Sequence, residues 1–264
     1  MDQFDDSRYE TFRVERRGDV DWLTLDRPDA LNAMNSRMIA ELAEYFGARV
    51  HDTATRVIVL RATGKAFCAG LDLREMAGLI EELDTAGRLR FQQRLSSIFV
   101  SMRRCPQPIV CLVQGAASGG GFALALASDI RICTAETRMN AAFIKVGLSG
   151  CDVGMSYLLP RAVGTSVAAE MLMTGSFLDA TRAAALGFVT AVVPAAELEA
   201  VGAKTVESLL QADPLGLALT KQGLQVGLDA PGIESAIANE DRQQSLLSGA
   251  EGFRARIKAF LNRK

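Results

Sequence analysis

The chain carries two short glycine segments, Ala66-Phe67-Cys68-Ala69-Gly70-Leu71-Asp72-Leu73 and Gly115-Ala116-Ala117-Ser118-Gly119-Gly120-Gly121-Phe122-Ala123. Each follows an apolar run with strand character, and the second opens a stretch of small residues with helix character. A tight glycine turn beside a helix start leaves backbone N–H groups that no side chain shields. Two such donors aimed at one point can hold the negative charge that develops on a carbonyl oxygen, the arrangement called an oxyanion hole. Main-chain donors survive side-chain substitution. A fold can therefore keep them while its acid–base residues change.

Other residue types capable of chemistry are few. There is a single histidine, His51, at the end of a predicted helix, where it reads as a solvated terminal residue, and no Cys/His cluster has metal-ligand spacing. The five cysteines, at 68, 105, 111, 133 and 151, are odd in number and several lie in apolar runs. They read as reduced core residues of a cytosolic protein and not as a disulfide framework. Nothing close in sequence would activate Cys151 as a nucleophile. Asp152 precedes a predicted helix, where it could cap the first turn or move a proton. Tyr157 reads as a packing residue with a hydroxyl partner, and Glu75, Glu81, Glu82 and Asp84 as a solvated face.

Charged residues make up 23% of the 264 and the net charge is −2, so no basic face for nucleic acid is indicated, although a local anion site is compatible with it. The longest apolar runs are too short to cross a bilayer. The N-terminus, Met1-Asp2-Gln3-Phe4-Asp5-Asp6, is acidic without an apolar core, unlike a secretory signal. A cytoplasmic location follows as an expectation.

The elements that must position the glycine turns are legible from period and punctuation. Residues 10–16 and 20–25 read as strands joined at Arg17-Gly18-Asp19. Ser36 is placed to cap a helix running to about Val50, with Met38, Ile39, Leu42, Ala43 and Phe46 on one face. Residues 56–62, 109–113 and 129–133 read as strands, buried in the first two cases, and Thr85 to Arg103 as a long amphipathic helix ended by Pro106 and Pro108. The helix from Gly120 to about Ala127 is small or apolar all round and so predicts burial on every side. From Thr165 onward the pattern is almost wholly helical. The fold class is α/β followed by a helical tail.

With Arg27-Pro28-Asp29-Ala30-Leu31-Asn32-Ala33-Met34 and Pro160-Arg161-Ala162-Val163-Gly164, the two glycine segments make four motifs in order. Over most of its length the chain resembles the crotonase superfamily, the enoyl-CoA hydratase/isomerase family. The resemblance implies a spiral core of repeated ββα turns (1–200) and a C-terminal helical trimerisation region (201–264). It further implies a homotrimer or a hexamer of two trimers, and an acyl-CoA thioester as substrate with no metal or redox cofactor. By position, the peptide N–H groups of Leu71 and Gly120 correspond to the oxyanion hole, the second at a helix N-terminus whose dipole adds to the hydrogen bond. The backbone of Ala33, Ala69 and Leu73 corresponds to the adenine pocket. Arg74 stands where a basic residue meets the CoA phosphates, or is simply solvated, and Lys258 on the last helix corresponds to a residue reaching a neighbouring subunit's ligand.

The chain departs from the family at its acids. The two glutamates that position water in hydratases fall at Ala123 and Phe143, neither of which moves a proton, leaving Phe143 as an apolar residue of the substrate site. Asp152 falls where related dienoyl-CoA isomerases carry an aspartate, and burial beside Phe143 and Leu148 would raise its pKa. One base that takes a proton from one carbon and returns it to another performs an isomerisation, the favoured reading. Hydration stays open if Asp152 alone activates water. The alternatives are hydrolysis or dehalogenation with Asp152 as nucleophile, or a non-catalytic acyl-CoA-binding subunit.

Overall fold

The computed structural model describes residues 9–262, and the acidic segment from Met1 to Asp6 lies outside them. Strands β1 (Phe12–Arg17) and β2 (Val20–Leu25) form an antiparallel hairpin turned at Gly18, whose φ of +60° suits a residue without Cβ. Helix α1 (Ser36–Arg49) follows, buried through Met38, Ile39, Leu42 and Phe46. Its cap is Asn35 and not Ser36: the Asn35 side chain accepts from the Met38 N–H at 2.9 Å. Two neighbouring residues could each have capped this end, and only the backbone entry angle distinguishes them.

Strand β3 (Val57–Ala62) leads through the first glycine turn to α2 (Leu73–Glu82) and α3 (Thr85–Arg104), the latter capped by Asp84. Next come β4 (Ile109–Val113), β5 (Ala116–Ser118) and α4 (Gly120–Ala127), whose eight residues are all buried, as their composition requires. Strands β6 (Ile130–Thr134) and β7 (Arg138–Asn140) precede α5 (Met155–Val163) and α6 (Thr165–Thr174). The helical pattern expected after Thr165 is broken by two short strands, β8 (Leu178–Asp179) and β9 (Ala191–Val193), on either side of α7 (Ala180–Ala185). Helices α8 (Leu198–Leu210), α9 (Pro214–Asp229), α10 (Ile233–Ser248) and α11 (Glu251–Leu261) complete the chain.

Six strands form one sheet in the order β1-β2-β3-β4-β6-β9, parallel from β2 onward, and β5, β7 and β8 form a second. After β2, β3, β4 and β6 the chain takes a second short extended step before its helix. For the first two turns that step is only a bridge, Met34 to Leu71 and Cys68 to Ala117; for the others it is β5 and β7. This is a repeated ββα turn wound into a spiral, with a helical C-terminal region.

The large sheet is covered on both faces, which is why β2 and β4 are buried throughout. One face packs Ile58, Leu60 and Cys111 among residues of α1, α3 and α4; the other packs Val57, Val59, Val110 and Leu112 under Leu198 and Val206 of α8. The expected division between residues 200 and 201 falls inside α8. Helix α9 is pinned to the body by Lys221, whose buried ammonium donates to the carbonyls of Met102 (3.0 Å) and Gln107 (2.8 Å) and pairs with Asp129 at 2.8 Å. Among the described residues no helix is long and apolar enough to cross a membrane.

Candidate active site

Asn32 organises the first glycine turn. Its side chain is buried, with Nδ2 donating to the carbonyls of Thr63 and Ala66, both at 2.9 Å, while Oδ1 accepts from the Arg27 N–H at 2.8 Å. Leu31 and Asn32 both adopt left-handed backbone, with φ of 52° and 54°, which bends residues 27–34 around this amide. Asn32 carries no chemistry itself, and the sequence assigns it no role beyond its place in the first motif. Only its place between strand and helix hinted at a turn residue.

The segment 68–72 is stitched on both edges. Met34 donates to the Gly70 carbonyl (2.7 Å) and accepts from the Asp72 N–H (3.0 Å), which turns the intervening Leu71 N–H away from Met34. On the other edge Cys68 donates to Ala116 (3.1 Å) and accepts from Ser118 (2.9 Å), so the Leu71 N–H faces β5 and the start of α4. Gly70, at φ +95°, closes the approach: a Cβ there would lie 2.8 Å from the Ser118 carbonyl oxygen and 3.6 Å from the Gly120 nitrogen. Gly119 makes the corner at φ +50° with its N–H given to the Asn140 carbonyl, and α4 begins at Gly120. Gly70, the residue before Leu71, thus lies against the start of α4, and neither the Leu71 nor the Gly120 N–H has an acceptor among the described residues.

Phe143 is buried over this corner, its ring edge 3.5 Å from where a Gly119 side chain would begin. Ala123, one turn into α4, is buried. Burial pushes the thiol of neighbouring Cys68 up to about 12, so it stays neutral. Cys105, Cys111 and Cys133 are likewise buried, but Cys151 is exposed, correcting its assignment to the core.

Asp152 is half-buried, at the corner between α3 and α5. It does not cap a helix: α5 starts at Met155 behind Gly154, with no side-chain capping bond. Instead Asp152 Oδ1 accepts from its neighbour's Val153 N–H at 2.8 Å and from Gln92 Nε2 of α3 at 2.6 Å. Burial raises its pKa above the usual carboxylate value, and the two hydrogen bonds oppose that rise only in part. Leu148 is exposed, so the desolvation expected from it does not come from there. Val153 takes φ +41°, a left-handed conformation that is a true outlier for a β-branched residue. Gln92 was not read from the sequence. The available signal was a lone amide on the α3 face that otherwise carries buried Leu95, Phe99 and Met102.

A cavity of about 420 Å³ opens beside Val153 between α3, α5 and α9, with Phe99, Val100, Leu158 and Leu228 among its walls. The expected adenine-pocket residues gather at the outer edge of the glycine turn. The Ala69 N–H donates to Leu31, the Ala33 carbonyl accepts from Arg27, and Arg27 also pairs with Asp72 at 3.2 Å. Leu73 and Arg74 lie exposed at the start of α2. Lys258 is exposed on α11, which packs against α10.

The remaining acids have structural work or none: Glu75 accepts the Ser36 N–H at 2.9 Å, and Asp84 caps α3. Tyr157 is partly exposed and gives its hydroxyl to Asp229, and His51 is exposed just beyond α1. Among the described residues no three His, Cys, Asp or Glu side chains gather as metal ligands.

Residues 15–264 match the family model described as enoyl-CoA hydratase/isomerase. The chain is 34% identical over 228 residues to the probable enoyl-CoA hydratase EchA12 of Mycobacterium tuberculosis, covering 85% of this chain and 80% of that one. It is 30% identical over 247 residues to the 1,2-epoxyphenylacetyl-CoA isomerase of Escherichia coli, covering 92% of each. The crystal structure of an enoyl-CoA hydratase from Mycobacterium smegmatis superimposes with a TM-score of 0.89 at 31% identity over 97% of both chains. Fold, motifs and relatives agree: the chain belongs to the crotonase superfamily, as a member of its enoyl-CoA hydratase/isomerase family of enzymes.

Proposed function

We propose that the protein isomerises an acyl-CoA thioester through an enolate, with the Leu71 and Gly120 N–H groups as oxyanion hole and Asp152 as the single base. The observation that carries this reading is a contrast in side chains. The α4 and Phe143 positions offer only apolar groups, while among the described residues Asp152 alone presents a half-buried carboxyl of raised pKa. In the reaction Asp152 takes a proton from carbon γ of a 2-enoyl thioester. The electrons move to the thioester oxygen between the two N–H groups, and the proton returns at carbon α. Atoms and charge balance without a co-reactant. A base whose pKa is raised toward neutrality suits both halves of the transfer.

The cavity beside Val153 fits the apolar part of the acyl group, next to the base. The exposed Leu73–Arg74 edge fits the CoA head. The relatives include a trans-2-decenoyl-[acyl-carrier-protein] isomerase, which supports isomerisation of a 2-enoyl thioester, while hydratases among them keep water addition as the competing outcome. Large apolar side chains stand exposed on the last helices, such as Leu224, Ile233 and Phe260. Their exposure supports assembly as a trimer or hexamer that would bury them between copies, which analytical ultracentrifugation tests.

Proton NMR of crotonyl-CoA in deuterated water tests the chemistry. Deuterium entering carbons α or γ with wild type and not with Asp152→Asn is the expected result. Accumulation of a 3-hydroxyacyl product means hydration. Full turnover by the variant removes Asp152 from the mechanism.

A further inference from the structure

The Asp152 carboxylate is held asymmetrically. Oδ1 accepts two hydrogen bonds from two different elements, the Val153 N–H at 2.8 Å and Gln92 Nε2 at 2.6 Å. Oδ2 has no partner among the described residues. We propose that Gln92 is a positioning residue for the acid: it clamps Asp152 Oδ1 to α3, so that Oδ2 is the oxygen that receives and returns the substrate proton. This inference rests on the reading of Asp152 as the base.

An oxygen that already accepts two hydrogen bonds is the poorer proton acceptor of a carboxylate pair. The geometry therefore differentiates two otherwise equivalent atoms. It also fixes χ1 and χ2 of a side chain that, left to itself, would sample several rotamers. The backbone at this corner is bent to the same end. Val153 is held in left-handed conformation with its side chain in the core, which anchors the residue whose N–H donates to Asp152 Oδ1. Gln92 supplies the second donor across 60 residues of sequence. A glutamine suits this place because its amide donates without adding charge. A lysine or arginine there would pull the carboxyl pKa down and spoil the base.

No charged side chain weighs on the Asp152 carboxyl, whose environment is burial, the Val153 N–H and the Gln92 amide. On the elements around it, Arg88, Arg90 and Arg94 of α3 are exposed, and Tyr157 and Arg161 of α5 engage Asp229. Of the three influences on the Asp152 carboxyl, burial, the Val153 N–H and the Gln92 amide, the last is the one a side-chain substitution at a remote element can remove.

The test combines Asp152 carboxyl titration by ¹³C NMR with the pH dependence of deuterium exchange into crotonyl-CoA. Gln92→Leu should move the Asp152 midpoint upward by about one pH unit or more, because a donor to the charged form is lost. Gln92→Glu, nearly isosteric, should move it further, because two carboxyls in contact share one proton. In both variants kcat should fall about tenfold or more while KM is unchanged, and the acidic limb of the rate profile should follow the NMR midpoint. If Gln92→Leu fails to fold, the Glu variant carries the same comparison. A wild-type midpoint in the folded variants overturns the proposal, as does a loss confined to KM. Full turnover in Asp152→Asn instead overturns the parent reading, whatever the Gln92 variants do.

Discussion

The paired glycine turns and the Asp152 corner both hold their working groups in unusual backbone, by opposite means. At the glycine turns the main chain itself is the instrument. Bridges on both edges of residues 68–72 fix the Leu71 N–H, and the chains approach so closely that a Cβ on Gly121 would lie 2.2 Å from the Cys68 carbonyl oxygen. At Asp152 the group is a side chain, held by one amide from α3 and one strained neighbour. The first region tolerates changes in side-chain identity and no added atoms at its glycines. The second can be retuned by one substitution. On the proposed reading, such a division keeps the charge-stabilising half fixed while the proton-moving half varies.

The sharpest way to break the contrast is to add one methyl group to the first region. Gly121→Ala places Cβ inside the backbone of Cys68, and loss of more than about 4 kcal/mol of stability, or failure to fold, is expected in urea or thermal unfolding. Next in size, Asp152→Asn should lower turnover about 10²- to 10⁴-fold with CoA affinity unchanged by calorimetry, since only the proton carrier is lost. Comparable stability losses for the two variants would erase the distinction between the regions.

Relief of strain partly offsets a smaller loss. Val153→Gly removes the penalty of a valine at φ +41° but also a buried side chain, and it adds chain entropy, so a net loss of about 1–2 kcal/mol is expected in thermal unfolding, with a lower kcat as the Asp152 corner loosens. Smallest is a pH effect. Because the folded state raises the Asp152 pKa, it binds the proton more tightly than the unfolded chain. Stability from this group therefore declines as pH rises from the ordinary aspartate value through the raised one. Asp152→Asn should remove that slope, seen as a flatter dependence of Tm on pH across the acidic range.

The same division explains what the sequence made legible. The glycine segments, the extent of α4 and the long α3 follow from local composition, because small or apolar residues at fixed period leave few alternatives. Strands β8 and β9 escaped notice since two or three residues set no period. Their strand character comes from pairing with β7 and β6. For Asp152 the sequence offers a proton carrier or a helix cap, and the cap fails because the left-handed Val153 and Gly154 delay the helix to Met155. Gln92 was beyond reach for a different reason. Its partner is remote in the chain, and an amide on a helix face declares nothing until the fold brings a carboxylate to it.

The buried ammonium of Lys221 has a consequence for the order of events as the chain folds. Its partners, Met102, Gln107 and Asp129, belong to the α3–β4 corner and the end of α4, up to 119 residues earlier in the chain. A lysine stripped of water with only some of those acceptors in place is costly, so partial docking of α9 is disfavoured. The tail should therefore latch in one cooperative step after the body has formed. In hydrogen exchange, amides of α9 should open together, apart from those of the central sheet.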